Sequence, residues 1–169
     1  MLDESTTILR AGHGVLICET RHGLVCANAG VDRSNAADPD ELILLPEDPD
    51  ASARGLRAGI AAARGVRPAI VISDSFGRAW RLGQTDVAIG AAGLTPLDDW
   101  RGRRDARGRT LQATAIAVAD AIAATADLAR AKDADQPAVL LRGLDRFVSA
   151  DDGPGAASLR RPPAEDFFR

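Results

Sequence analysis

The sequence predicts an α+β protein built on a mixed β-sheet with a few helices. Three observations carry this. Short β-prone apolar runs recur along the chain, two alanine-rich stretches read as helix, and the two kinds of segment follow one another without a regular βαβ rhythm. The length of 169 residues suits one domain. The composition shifts after Asp145 and ADDGPGAASLRRPP reads as a flexible tail, so residues 1–150 are expected to form the domain and 151–169 a C-terminal tail.

Residues 14–19 (GVLICE) and 24–28 (LVCAN) predict a hairpin, with Arg21, His22 and Gly23 at its turn. A polar stretch, AGVDRSNAADPDE, follows and must be loop. Residues 41–45 (ELILL) predict a short strand ended by Pro46. The next segment predicts a helix capped by Asp50 or Ser52 and stopped by Gly65. Residues 68–73 (PAIVIS) are continuously apolar, the pattern of a strand covered on both faces, and 86–93 (DVAIGAAG) predict another strand. Residues 94–109 predict a long arginine-rich loop, and 111–131, without Gly or Pro, a long helix. Residues 137–143 (PAVLLRG) predict the last strand.

A net charge of -3 argues against a nucleic-acid partner. No apolar run approaches the ~20 residues of a membrane helix, and the start MLDESTTILR has no apolar core of the kind a signal peptide needs. A cytoplasmic setting is therefore expected, with Cys18 and Cys26 as thiols, although strands flanking one turn also permit a disulfide. These cysteines with His13 and His22 have no zinc spacing, and neither GxxxxGK[ST] nor GxGxxG occurs. Lys132 is the only lysine. The arginine excess runs the whole length and fits a coding bias, yet arginine's rigid fork also suits carboxylates and phosphates.

The strongest local signal for chemistry is VISDSFGRAWRLGQ, where a buried strand is expected to end at Ser73 and polar groups crowd its mouth. Asp74 can bind a hard cation such as magnesium through its carboxylate, and Ser75 can add a hydroxyl or carbonyl. A turn at Gly77 would bring Arg78 and Arg81 toward an anion that the metal holds. The alternative is a capped turn in which Asp74 accepts from nearby N–H groups. The second signal is ANAGVDRSN: Asp32 is another hard ligand and Asn35 a side-chain amide, or both belong to an Asx-rich loop. The acids of LLPEDPDASAR can bind metal or simply lead into a helix cap. Arg101, Arg103, Arg104, Arg107 and Arg109 can receive an anion or form a solvated loop, and Trp80 and Trp100 can pack or stack.

Taken in order, LICETRHGLVCANAGVDRSN, LLPEDPDASAR, VISDSFGRAWRLGQTDVAIGAAGL, LDDWRGRRDARGR, AVADAIAATADL, VLLRGL and RPPAEDFFR resemble the coenzyme F420:L-glutamate ligases, the F420 γ-glutamyl ligase family, from about Ser5 onward. The resemblance implies a GTP-dependent enzyme that joins L-glutamate to the free carboxylate of a deazaflavin cofactor precursor through an acyl phosphate. It implies divalent magnesium or manganese, with potassium as an accompanying ion, and an interlocked homodimer with no membrane or nucleic-acid partner. Carried over, Asp32 and Asp74 are metal ligands, Ser75 serves a second metal, and Asn35 contacts GTP. Residues 130–136 match a nucleotide-contacting segment, with Lys132 where the family varies. Arg78 and Arg81 are the expected catalytic cations. Two departures stand out: Ala115 and Ala121 replace glutamates common in relatives, and Met1 falls well inside the family's domain. The expected fold is thus the γ-glutamyl ligase-like fold lacking its N-terminal segment. A homologue that keeps the dimer and metal-loop shell without productive GTP binding is the rival expectation.

Overall fold

The computed structural model describes residues 1–34, 36, 38 and 40–167. It is α+β, with three antiparallel sheets in place of one mixed sheet. Strands β1 (Ser5–Gly12), β2 (Val15–Thr20) and β3 (Val25–Ala27) form a meander. Strands β4 (Ile70–Arg78) and β5 (Arg81–Ala92) form a long ribbon, and β6 (Leu97–Asp99) pairs with β7 (Ala115–Ala117). Helix α1 spans Pro49–Arg64 and α2 spans Val118–Leu128.

The expected hairpin is β2–β3, and Gly23 at φ 76 makes its turn. Cys18 and Cys26 are direct cross-strand partners, both buried and both free thiols. Strand β1 has no counterpart in the sequence expectations because almost all of it faces outward, leaving little apolar alternation to read.

Helix α1 begins at Asp48, whose carboxylate accepts from the Ala51 N–H at 2.8 Å, with Pro49 preset in the first turn. It ends at Gly65, which takes the left-handed conformation at φ 69. Neither expected cap serves. Ser52 returns its hydroxyl to the Asp48 carbonyl, and Asp50 is turned to tertiary use. The Asp50 carboxylate accepts from the N–H groups of Ala91 and Ala156 at 2.8 Å and of Ala157 at 3.3 Å, tying α1 to β5 and to the C-terminal segment. The buried stripe Pro49, Ala53, Arg57 repeats every four residues, the period of one helix face. It meets β5 closely, since a Cβ on Gly90 would fall 2.3 Å from the Pro49 carbonyl oxygen.

The core is made of small residues, with Ala88, Ala91, Leu94, Ala119 and Ala156 buried together and Val71, Ile122 and Leu159 packed on them. Ala156 lies within the stretch expected to be a flexible tail. The segment around it instead docks on the core through Asp50, through a Gly93 N–H to Asp152 carbonyl bond, and through an Arg57–Asp152 ion pair.

Four further expectations are corrected. Residues 41–45 form no strand: only Ile43 bridges, to Asp32, and Leu42, Ile43 and Leu44 are all exposed. Residues 111–131 are helical only from Val118, because Ala115–Ala117 pair with β6 and tertiary pairing overrides alanine's helix propensity. Residues 137–143 pair with no strand among the described residues, and Leu140 is exposed. Strand β4 is only half buried, and it continues through Asp74, Ser75 and Gly77 to Arg78 instead of ending at Ser73.

Candidate functional site

A bulge between Ile72 and Ser73 resets the β4–β5 register, after which Ser73 faces Ala88, Asp74 faces Val87 and Ser75 faces Asp86. Alternation along a strand therefore puts Ser73, Ser75, Asp86 and Ala88 on one face and Asp74 with Val87 on the other.

The first face is organised by Asp86, which is 2% exposed. Its carboxylate accepts from Ser73 Oγ and Ser75 Oγ, each at 2.7 Å, and forms an ion pair with Arg130, just past α2. A carboxylate this deep needs such partners, because burial would otherwise penalise its charge. The Ser75 hydroxyl proton is thus committed to Asp86, while its N–H donates to the neighbouring Asp74 carboxylate at 2.9 Å.

On the other face Asp74 is half-buried. Burial is the main force pushing its carboxyl above the usual carboxylate range, and the negative charges of Asp86 and Asp32 add to it. Across the gap to β3, the Cys26 thiol is pushed up to about 11, chiefly by burial and then by Asp74 and Cys18. Asp32 lies in the same electrostatic neighbourhood, and Lys132 acts on both aspartates. Asp32 itself is an Asx turn. It accepts from the N–H groups of Arg33 at 2.7 Å and Ser34 at 2.9 Å and from the Ser34 hydroxyl, and those bonds, Ser34's above all, hold its carboxyl below the usual range. Asn35 lies outside the described residues.

Arg78 and Arg81 are direct partners at the exposed end of the ribbon, where Arg78 donates to the Leu82 carbonyl at 2.9 Å. Four strand positions separate Arg78 from Asp74, about 13 Å at the usual strand rise. Asp74 and Ser75 are adjacent, Asp32 acts on Asp74 through its charge, and the two arginines stand apart from Asp74 along the ribbon.

Hard oxygen donors carrying negative charge are what a divalent cation of the magnesium type would match, and Asp74, under the charges of Asp86 and Asp32, fits that description. No group of three or more His, Cys, Asp or Glu suited to a metal occurs among the described residues, so water and ligand oxygens would have to complete such a shell.

The arginine-rich loop is neutralised from within at two of its five arginines. Arg101 grips Asp99 at 2.6 Å and holds its carboxyl down at about 2. Arg103 pairs with Asp98 at 3.2 Å and stacks 5.2 Å from the Trp100 ring, whose indole N–H also reaches Asp98. Arg104, Arg107 and Arg109 form no ion pair among the described residues.

Sequence reasoning missed Asp86 and Arg130 as a connected pair. The signal for Asp86 was present: a lone charge opening an otherwise apolar strand run, TDVAIGAA, must be satisfied if that strand is buried.

Residues 1–143 match the family model described as F420-0:Gamma-glutamyl ligase. The chain is 45% identical over its whole length to the coenzyme F420:L-glutamate ligases of Methanothermobacter thermautotrophicus and Methanopyrus kandleri, and 42% identical to that of Haloarcula marismortui. It spans 67%, 68% and 64% of those proteins, about two thirds of their length. The family match and the whole-chain identities define a ligase enzyme. The chain belongs to the F420-0:Gamma-glutamyl ligase family.

Proposed function

We propose that this chain serves the GTP-dependent ligation of L-glutamate to the carboxylate of the coenzyme F420 precursor, through an acyl phosphate. The observation that carries this reading is whole-chain identity of 45% to two coenzyme F420:L-glutamate ligases. A carboxylate is a poor electrophile, so the precursor's carboxylate first attacks the terminal phosphorus of GTP, forming a C–O–P bond and releasing GDP. The glutamate amine then attacks the activated carbonyl. An amide forms, phosphate leaves, and the amine's proton passes to solvent.

Phosphoryl transfer rests on positioning and on offsetting charge at the phosphate oxygens. Asp32 and Asp74 would hold magnesium or manganese, and Ser75, oriented by Asp86, would serve a second ion. When bound, such an ion neutralises charge on the nucleotide phosphates. Asn35 is read as a GTP contact, and residues 130–136 are anchored near the ribbon through Arg130 to Asp86. Arg78 and Arg81 are the proposed fixed cations, and their place at an exposed ribbon tip suits action across a homodimer contact better than on their own Asp74. Potassium as an accompanying ion and a cytoplasmic setting complete the reading. No described helix is long and apolar enough to cross a membrane.

The second reading is a homologue that keeps the dimer and metal-loop shell without productive GTP binding. The test is glutamate addition to the deazaflavin precursor with GTP and magnesium, read by mass, on this chain and on a form extended to the relatives' length. We expect turnover in the extended form, and Asp74→Asn to lower its kcat about 10²-fold or more, roughly 2.7 kcal/mol of transition-state stabilisation. An Asp74→Asn enzyme as fast as its parent would put the chemistry elsewhere, and no turnover in either form would favour the second reading.

A further inference from the structure

A cavity of about 220 Å³ opens beside the ribbon, on walls that include Gly23, Val87, Asp120, Leu159, Arg160 and Arg161. Its place follows from strand pairing. Val87 is the direct cross-strand partner of Asp74, and directly opposed residues in an antiparallel pair lie about 4.5–5.5 Å apart at their Cα atoms. The cavity therefore adjoins the proposed metal carboxylate without containing it.

Its charges are arranged in an unusual way. Asp120, in the first turn of α2, is half-buried and accepts from the Ala88 N–H at 2.9 Å through one oxygen. The other oxygen has no hydrogen-bond partner among the described residues. Burial raises its carboxyl above the usual range, outweighing the Ala88 N–H bond that opposes it. Arg160 lies along the β2–β3 turn, its NH1 3.8 Å from where a Cβ on Gly23 would sit. Arg161 gives one N–H to the Glu165 carbonyl at 3.4 Å. Neither arginine forms an ion pair among the described residues. Asp166 is also on the wall, with interactions of its own. One under-satisfied carboxylate and two guanidinium groups without an ion pair among the described residues, around a small cavity, make a zwitterion-shaped arrangement. A ligand with one ammonium and two carboxylates would satisfy all three at once.

We infer that this cavity seats the incoming dicarboxylic amino acid, with its carboxylates on Arg160 and Arg161 and its ammonium on Asp120. This rests on the ligase reading above, which makes L-glutamate the second substrate. Residues at the C-terminal end of the chain thereby gain a substrate-binding role, and the amine is delivered beside the strand pair that carries Asp74.

The test is calorimetric titration of the full chain with L-glutamate and with glutarate, which lacks the ammonium. The amide signals of Ala88 and Gly23 would be followed by NMR in the same samples. We expect saturable L-glutamate binding that shifts both amides and exceeds glutarate binding. Asp120→Asn keeps an acceptor for the Ala88 N–H, so it should fold. It should lose the preference for L-glutamate over glutarate, weakening the amino acid by about tenfold, one charge-assisted contact. Arg160→Gln should weaken both ligands. Absence of saturable binding, shifts confined to residues away from the cavity, or variants that bind as the parent does would each overturn the site. The extended form separates the two ideas. Ligation with an unchanged KM for glutamate in Asp120→Asn and Arg160→Gln overturns the site and leaves the reaction standing. Binding at Ala88 and Gly23 without any ligation supports the site and overturns the reaction.

Discussion

Arg57 and Asp152, 95 residues apart, meet at 2.6 Å, and the Arg57 side chain is 1% exposed. The same guanidinium donates to the carbonyls of Pro68, Ser149, Ala150 and Asp151. A helix face and the C-terminal segment are thus joined by one cation. Arg57→Ala should destabilise the fold by about 3 kcal/mol or more, because it strands several buried carbonyls as well as one carboxylate. Asp152→Asn should cost much less, since its carboxylate is 41% exposed and the carbonyls remain. Urea unfolding of both variants checks this, and equal losses would mean that the carbonyls contribute nothing.

Gly90→Ala should destabilise by about 1–3 kcal/mol, the range for overpacking a close contact. Its Cβ would meet the Pro49 carbonyl oxygen at 2.3 Å, backbone against backbone, with no flexible side chain to yield. Gly77→Ala, with nothing within 4 Å of its Cβ, is the control and should be near neutral in the same thermal melts.

Asp86 and Arg130 should be energetically coupled. Each truncation to Ala leaves the other charge with less support, so the double variant should lose less than the sum of the singles, by about 1 kcal/mol or more. Additive losses in a denaturant double-mutant cycle would show that the ion pair is incidental. Metal affinity measured alongside tells whether the Ser75 hydroxyl needs Asp86 to hold its orientation.

Asp120 supplies a pH signature. Its folded-state carboxyl lies above the usual carboxylate range, through burial. The folded state therefore binds the proton more tightly than the unfolded chain, and stability falls as pH rises from the unfolded value through the folded one. Asp120→Asn should be more stable than the parent near neutral pH and equal to it well below 3.8. A stability difference that persists unchanged in acid would mean that burial of the charge is not its cause.

The Cys26 thiol, raised to about 11 and buried, should react with alkylating reagents near neutral pH far more slowly than a free cysteine. Cys18, at 0% exposure, should follow it. Both should label rapidly once the protein is unfolded in denaturant, and fast labelling of the folded chain would show that β2 and β3 open readily.

What the sequence determined by itself was local. Turn glycines, the Pro-Asp entry to α1 and the apolar runs place the β2–β3 hairpin, α1, the first half of β4 and the second half of β5, because those signals act over a few residues. The motifs carrying Asp32, Asp74 and Ser75 were legible, and with them the family. Tertiary structure decided the rest. Residues 41–45 and 137–143 had strand-like composition but no ladder partner among the described residues, and a strand exists only through its partner. Ala115–Ala117 had helical composition and found one in β6. Asp50 left its capping position because three N–H groups from β5 and the C-terminal segment converge on it, while Asp48 filled the cap. Arg130 reached Asp86 across 44 residues. No local rule foresees that pairing, because the requirement that a buried charge be met arises only when the chain has closed around it.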